Sequence, residues 1–387
     1  MSFRPDESGR NPLKSMVSPL EFVSCMSPGI APNGPASKVR PAGNGPLVAR
    51  GKTGMFVVDM HCHALSKRAE ALVKAEHKGP FPHPLANVSA ATKQVAKAQN
   101  ERVEPDLTDL ARRLAVMDRM AVDMQVISPA PPHYYTWTEA GLGREACRMV
   151  NDDIAAMAAT NPKRFAAMGT VPLQDTPMAI AEMRRCVKDL GMRGIEINSD
   201  VEGEELACAR LEPFFAAAEE LGTLIFLHPT GFVHERFNDH YFSNVLGNPL
   251  NSTIAVAHLI FGGTFERHPR LKMCVAHGGG FLPAYHARID HGHGAREDCC
   301  LNISRKPSEY LKQLYFDTMV FDPHQLGYLV QQYGADKILL GTDFPFDMGE
   351  DDPVGLVLGV PGLSEQQRAG ICGLNAAKLL GIEVPRQ

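Results

Sequence analysis

No apolar run in this 387-residue chain approaches the roughly 20 residues that a bilayer-spanning helix needs, so no membrane span is expected. Basic charge is not in surplus either, since 39 Lys and Arg stand against 44 Asp and Glu, a formal charge of −5. That excludes a general field for nucleic acid or an anionic membrane surface, and any basic group at a site has to act locally. No glycine-rich phosphate turn follows an early strand, which argues against a doubly wound nucleotide-binding sheet. The nine cysteines are an odd number, scattered without metal-finger spacing. Cys62, Cys186 and Cys274 read as small buried residues, and the adjacent pair Cys299–Cys300 is too close for an ordinary bridge. The opening MSFRPDESGRNPLKS has no apolar core behind its charges, so no secretory signal is read there. Reduced thiols in the cytoplasm are the expectation.

What is present has a rhythm. Residues 1–53, with SPGIAPNGPASKVRPAGNGP at their centre, are dense in Pro, Gly, Ser and Asn and read as an irregular N-terminal arm. From residue 54 to 387 one domain is expected, because short apolar runs recur between helical patterns. The runs are at 55–63, 123–131, 165–173, 193–200, 223–231, 271–279, 314–322 and 338–346. Between them, DLTDLARRLAVMDRMA (106–121) places Leu107, Leu110, Leu114 and Met117 at helical spacing. TPMAIAEMRRCVKDLG (176–191) starts on a Thr cap with Pro and stops at Gly. Eight continuously apolar strands alternating with helices describe an α/β protein, a (β/α)8 TIM barrel. The long connections at 64–105 and 231–250 suit loops at its active face.

The polar residues at the strand ends carry the chemistry. VVDMHCHALS puts His61 and His63 two apart, on one side of an extended backbone. His228 ends strand 5 in IFLHPTG, His277 ends strand 6 in CVAHGGG, and Asp343 ends strand 8 in LLGTDFPF. Each has a plain explanation alone: a hydrogen-bonded loop histidine, or an Asp capping a turn. All five at one mouth of a barrel is not what core packing would produce. Three neutral imidazoles and one carboxylate suit a divalent metal, zinc first, with manganese or iron admitted by the same donors. Strand 4 ends with Glu196 in GIEINSD. Binuclear barrel hydrolases bridge two metals with a carboxylated lysine from this region, so a single metal is expected.

The motifs DMHCHAL, NPKRFAAMGTVPLQ, FLHPTG, GGTFERHPRLKMCVAHGGGFLP, RIDHG and ILLGTDFPF resemble the amidohydrolase superfamily. The resemblance is narrowest with the branch of 2-amino-3-carboxymuconate-6-semialdehyde decarboxylase and the related hydroxybenzoate decarboxylases, and covers residue 55 onward. It implies that His61, His63, His228 and Asp343 bind the metal and that His277 is the catalytic acid/base beside it. It implies a homodimer in which Arg288, in ARIDHG, reaches the substrate carboxylate of the neighbouring subunit; a surface salt bridge is the alternative. Arg102, in NERVEPD, matches a second carboxylate-binding arginine, or is a solvated charge. The chain departs from the semialdehyde decarboxylases in reading HPTG, without Trp, after strand 5. Its one tryptophan, Trp137 in PPHYYTWTEAG, is either an aromatic wall for a planar substrate or a loop anchor.

Non-oxidative decarboxylation leaves an electron pair on carbon and needs a sink and a proton donor. A bound cation serves as the first and His277 as the second, either on the carbon directly or by activating water. The implied function is a metal-dependent carboxy-lyase for an aromatic or muconic-semialdehyde-type carboxylate. A hydrolase or hydratase using the same groups is the alternative.

Overall fold

The structure is a computed structural model that describes residues 54–82 and 88–385; the expected arm at 1–53 lies outside the described residues. Eight parallel strands follow one another: β1 (Val58–Ala64), β2 (Met124–Pro129), β3 (Phe165–Ala167), β4 (Gly194–Ile197), β5 (Leu224–Leu227), β6 (Lys272–Val275), β7 (Tyr315–Asp317) and β8 (Ile338–Leu339). Pairing runs β1–β2–β3 in one sheet and β4–β5–β6–β7–β8 in the other. Two parallel bridges, Gly169 with Ile195 and Cys62 with Phe344, join the sheets at both seams and close the barrel. Each strand is shorter than its apolar run in the sequence. Past β4, β5 and β6 the run continues as loop at the mouth, whereas residues 55–57 lie ahead of β1.

Alternation along the strands divides two apolar layers. Ile225 and Leu227 of β5 pack with Ile154, Met183, Phe214 and Leu259 of the surrounding helices. Leu224 and Phe226 pack instead with Val58, Met60, Val126, Cys274 and Leu339 from other strands, filling the barrel. Cys62, Cys186 and Cys274 are fully buried, as their apolar neighbours imply.

Several elements differ from the sequence reading. The helix expected over 106–121 is two, Ala90–Thr108 and Leu110–Arg119. The break is at Asp109, whose carboxylate accepts from the amides of Ala111 at 2.8 Å and Arg112 at 3.2 Å and so starts a new helix. The connection 64–105 is accordingly helical in part, with Lys67–Glu76 ahead of Ala90–Thr108. Helix Thr176–Lys188 is capped by Asp175 rather than Thr176, its Oδ1 accepting from Met178 N at 2.8 Å. The stretch 231–250 contains helix Phe242–Val245 and the start of Gly247–Phe261. A small antiparallel hairpin, Asp200–Val201 with Glu204–Glu205, had no signal in the sequence.

Candidate metal centre

β1 carries His61 and His63 within the strand, and both side chains are fully buried. His228 follows β5 by one residue, and its amide donates to Ile197 O at 2.9 Å. Asp343 lies four residues past β8, held by its amide to His61 O at 2.8 Å. One donor atom from each of these four residues lies within 4.8 Å of every other. The imidazole centroids stand 5.1 Å (His61–His63), 4.9 Å (His61–His228) and 4.8 Å (His63–His228) apart.

The outer atoms of this cluster are satisfied and the inner ones are not. His61 Nδ1 meets Asp317 Oδ2 at 2.6 Å, and His63 Nδ1 meets Pro129 O at 2.9 Å. Those partners fix both tautomers with Nδ1 protonated, so each Nε2 lone pair faces inward. His61 Nε2, His63 Nε2, both nitrogens of His228 and Asp343 Oδ1 are buried without a hydrogen-bond partner. Asp343 Oδ1 does lie 3.4 Å from His61 Nε2 and 3.1 Å from His63 Nε2, close enough for charge attraction but without hydrogen-bond directionality. Orphaned buried donors of this density are costly unless something between them binds all of them. A divalent cation fits that description: tetrahedral zinc takes this donor set.

The electrostatics agree. Burial, reinforced by the neighbouring imidazoles, holds His228 well below the ordinary imidazole value, so the ring stays neutral and keeps one nitrogen lone pair free. Burial opposes ionisation of Asp343, but the surrounding imidazoles outweigh it and keep the carboxyl well below the usual range. Burial also pulls His61 down, yet Asp343 and Asp317 dominate and raise it to about 10. The cavity therefore attracts positive charge.

His277 stands beside this group without belonging to it. Its ring lies 5.4 Å from His61 and 5.1 Å from His228, with Nε2 3.6 Å from Asp343 Oδ2 and Nδ1 unpartnered. Its backbone is left-handed, φ 56°, as is that of Asp343 at 54°; for residues with a Cβ this is strained and marks functional sites. Asp317 holds the turn. Its Oδ2 also accepts His277 N at 3.0 Å, and its Oδ1 accepts Gly278 N at 2.7 Å. The glycines that follow let the chain pass: a Cβ on Gly280, φ 70°, would lie 2.3 Å from Pro249 O.

His228 and Asp343 open onto a cavity of about 360 Å³ lined further by Gln99, Asn100, Phe232, Tyr241, Asn244 and Asn248. Arg102 lines a neighbouring cavity that shares Phe346 with this one, and its charge acts on Asp347. Trp137 packs edge-on against His77 and Phe81, at 4.8 and 5.6 Å between centroids, and does not line the cavity. Those contacts are a loop anchor's. Arg288 is exposed on helix Leu282–Ala295 and does not line this cavity. Three residues that act on the site had no place in the sequence reading. Asp317 is one, and Tyr134, which binds Glu196, is another. The third is Asp59, which accepts from Thr342 Oγ1 at 2.7 Å and His61 N at 3.2 Å, tying β1 to the segment after β8.

The amidohydrolase family model matches residues 58–382. The chain belongs to the amidohydrolase family. It is 34% identical over 329 residues to 2-amino-3-carboxymuconate-6-semialdehyde decarboxylase of Dictyostelium discoideum, covering 84% of this chain and 92% of that protein. Among solved structures, 5-carboxyvanillate decarboxylase from Sphingomonas paucimobilis superposes with a TM-score of 0.74 at 25% identity, over 85% of this chain and all of that one. A dihydroxybenzoic acid decarboxylase from Polaromonas, solved with manganese and 2-nitroresorcinol, shares the fold with a TM-score of 0.72 at 23% identity, over 85% and 97% of the two chains.

Proposed function

We propose that this chain is a metal-dependent, non-oxidative decarboxylase of an aromatic or muconic-semialdehyde-type carboxylate. The observation that carries this reading is the convergence of four buried, inward-facing donors with a fifth group, His277, left outside the set. In this reading His61, His63, His228 and Asp343 hold one divalent cation, zinc first among the candidates. When bound, the cation supplies a Lewis-acid sink for the charge left as CO₂ departs. His277 holds the proton that the carbon receives, and Asp317 aims it through the backbone. The cavity beside the donors, about 360 Å³, has room for a planar acid.

The chain brings no arginine of its own to that cavity among the described lining residues. Arg288 of a second copy is therefore proposed as the carboxylate clamp of a homodimer, a bidentate task suited to guanidinium. Its helix exposes Tyr285 at 66%, next to Phe281 at 40%, an apolar face of the kind a partner covers. Arg102 is the second candidate clamp, reaching from the neighbouring cavity. Among the described residues no helix is long and apolar enough to cross a membrane, and the described cysteines are all free. Both support a working place in the cytoplasm.

The test is to screen ortho-hydroxy and ortho-amino aromatic acids and carboxymuconic semialdehydes with CO₂ detection, alongside elemental analysis. Release of CO₂ with one metal equivalent per chain supports the reading. Gain of water with every carbon retained would replace it with a hydrolase or hydratase.

A further inference from the structure

The outer nitrogen of His61 has Asp317 behind it. His63 Nδ1 bonds the Pro129 carbonyl at 2.9 Å, and on the same side, beyond hydrogen-bond distance, stands another buried acid, which the proposed ligand set does not use. Glu196 on β4 is fully buried, with Oε1 3.9 Å from His63 Nδ1. Tyr134, at the end of the short turn Pro131–Tyr134 after β2, donates its hydroxyl to the same Oε1 at 2.5 Å. That hydroxyl also lies 3.3 Å from the carbonyl oxygen of His228. The second carboxylate oxygen of Glu196 is buried without a partner. One phenol therefore joins the acid behind one imidazole to the backbone of another, across the ends of β2, β4 and β5.

Packing does not explain this arrangement. A buried carboxylate with one oxygen unpaired is unfavourable, and an apolar side chain would fill the same space without that cost. A cation on the inner side of His63 reverses the balance. A carboxylate charge 3.9 Å from the outer nitrogen, beside that nitrogen's bond to Pro129 O, polarises the ring through space and makes its inner nitrogen a stronger donor. We infer that Glu196 and Tyr134 are a positioning unit that raises the affinity of the centre for its divalent cation. Glu196 acts through the ring of His63, and Tyr134, whose single hydroxyl proton goes to Glu196, holds that acid in place beside the His228 carbonyl. The inference rests on the reading of His61, His63, His228 and Asp343 as metal ligands.

The experiment strips the full-length protein of metal and titrates Zn²⁺ against a chromogenic chelator, for wild type, Glu196→Gln, Tyr134→Phe and the double variant. The melting temperature of each metal-free protein is measured in parallel. Glu196→Gln should raise Kd about 10–100-fold, with no fall in the metal-free melting temperature. Tyr134→Phe should raise Kd less, and the double variant by less than the product of the single effects. If Glu196→Gln does not fold, Tyr134→Phe removes one hydroxyl, keeps the acid and still decides. Unchanged Kd in every variant, or a lower metal-free melting temperature without a change in Kd, would overturn the inference and leave the ligand reading standing. Wild type that binds no zinc would overturn both.

Discussion

His277 departs from ordinary backbone geometry and from the ligand set at the same position. Its left-handed φ of 56° turns the ring toward Asp343 Oδ2, 3.6 Å away, while the other three imidazoles close on one another. A histidine in that place is free to carry a proton. His277→Asn is the sharper variant, because Asn tolerates left-handed backbone better than Ala and adds less strain to confuse the result. It should keep the metal content of wild type and lose about 10²–10⁴-fold in kcat, the range for a removed general acid or base. In D₂O the wild-type product should carry one deuterium where the carboxylate had been. A variant that loses its metal would make His277 a ligand, and one of full activity would place the proton elsewhere. At this scale the sequence was informative where residue type and position coincide. A His or Asp ending an apolar run is conspicuous, and the four clustered donors were all picked out that way. Asp317 and Asp59 were not, since an acid inside a strand run has no local mark and finds its long-range partners 39 to 283 residues away. Tyr134 likewise looks like any loop aromatic until the barrel brings the ends of β2 and β4, with β3 between them, to one mouth.

Elements were legible where apolar periodicity ran uninterrupted and illegible where a polar residue competed for the backbone. The pattern Leu107, Leu110, Leu114, Met117 is real, but Asp109 within it takes up two amides and divides the helix. Another local anchor, the turn Pro131–Tyr134, has a consequence for pH. His133 there is fully buried; its Nε2 accepts from Ser66 N at 3.0 Å, at the start of helix Lys67–Glu76. Burial lowers its pKa to about 4, against the weaker upward pull of the Ser66 and Ala130 backbone and of Asp153. The unfolded chain, with an ordinary imidazole, binds a proton that the folded state refuses between pH 6.5 and 4. Stability should therefore fall with pH across that window, by roughly 2–3 kcal/mol from this residue alone at pH 4.5. His133→Gln keeps an acceptor and does not titrate. Urea unfolding of the metal-free protein at pH 7 and pH 4.5 should show a smaller acid loss in the variant. An equal loss in both proteins would show that other groups carry the acid limb.

Across the whole molecule, the donors come from β1 and from the ends of β5 and β8, so a cation bound there links the first and last strands of the barrel. Chelation should lower the melting temperature, and re-added zinc should restore it with the logarithm of its excess over Kd. The barrel architecture was readable from eight apolar runs, but assembly is a different matter: nothing in hydrophobic periodicity says which exposed face meets a second copy. The proposed homodimer makes a quantitative forecast. If each site uses its own His277 and the partner's Arg288, a hybrid of a His277→Asn chain with an Arg288→Ala chain concentrates both lesions in one site. The other site is then wild type. Random exchange of equal amounts makes half the dimers hybrid, so a mixture of two inactive proteins should recover roughly a quarter of wild-type activity. If Arg288 served its own chain, every hybrid site would lack one group and mixing would restore nothing. Subunit exchange is verified with two affinity tags, and the hybrid is isolated by sequential capture. Its activity should then be half that of wild type per dimer, and an inactive isolated hybrid would end the shared-site model.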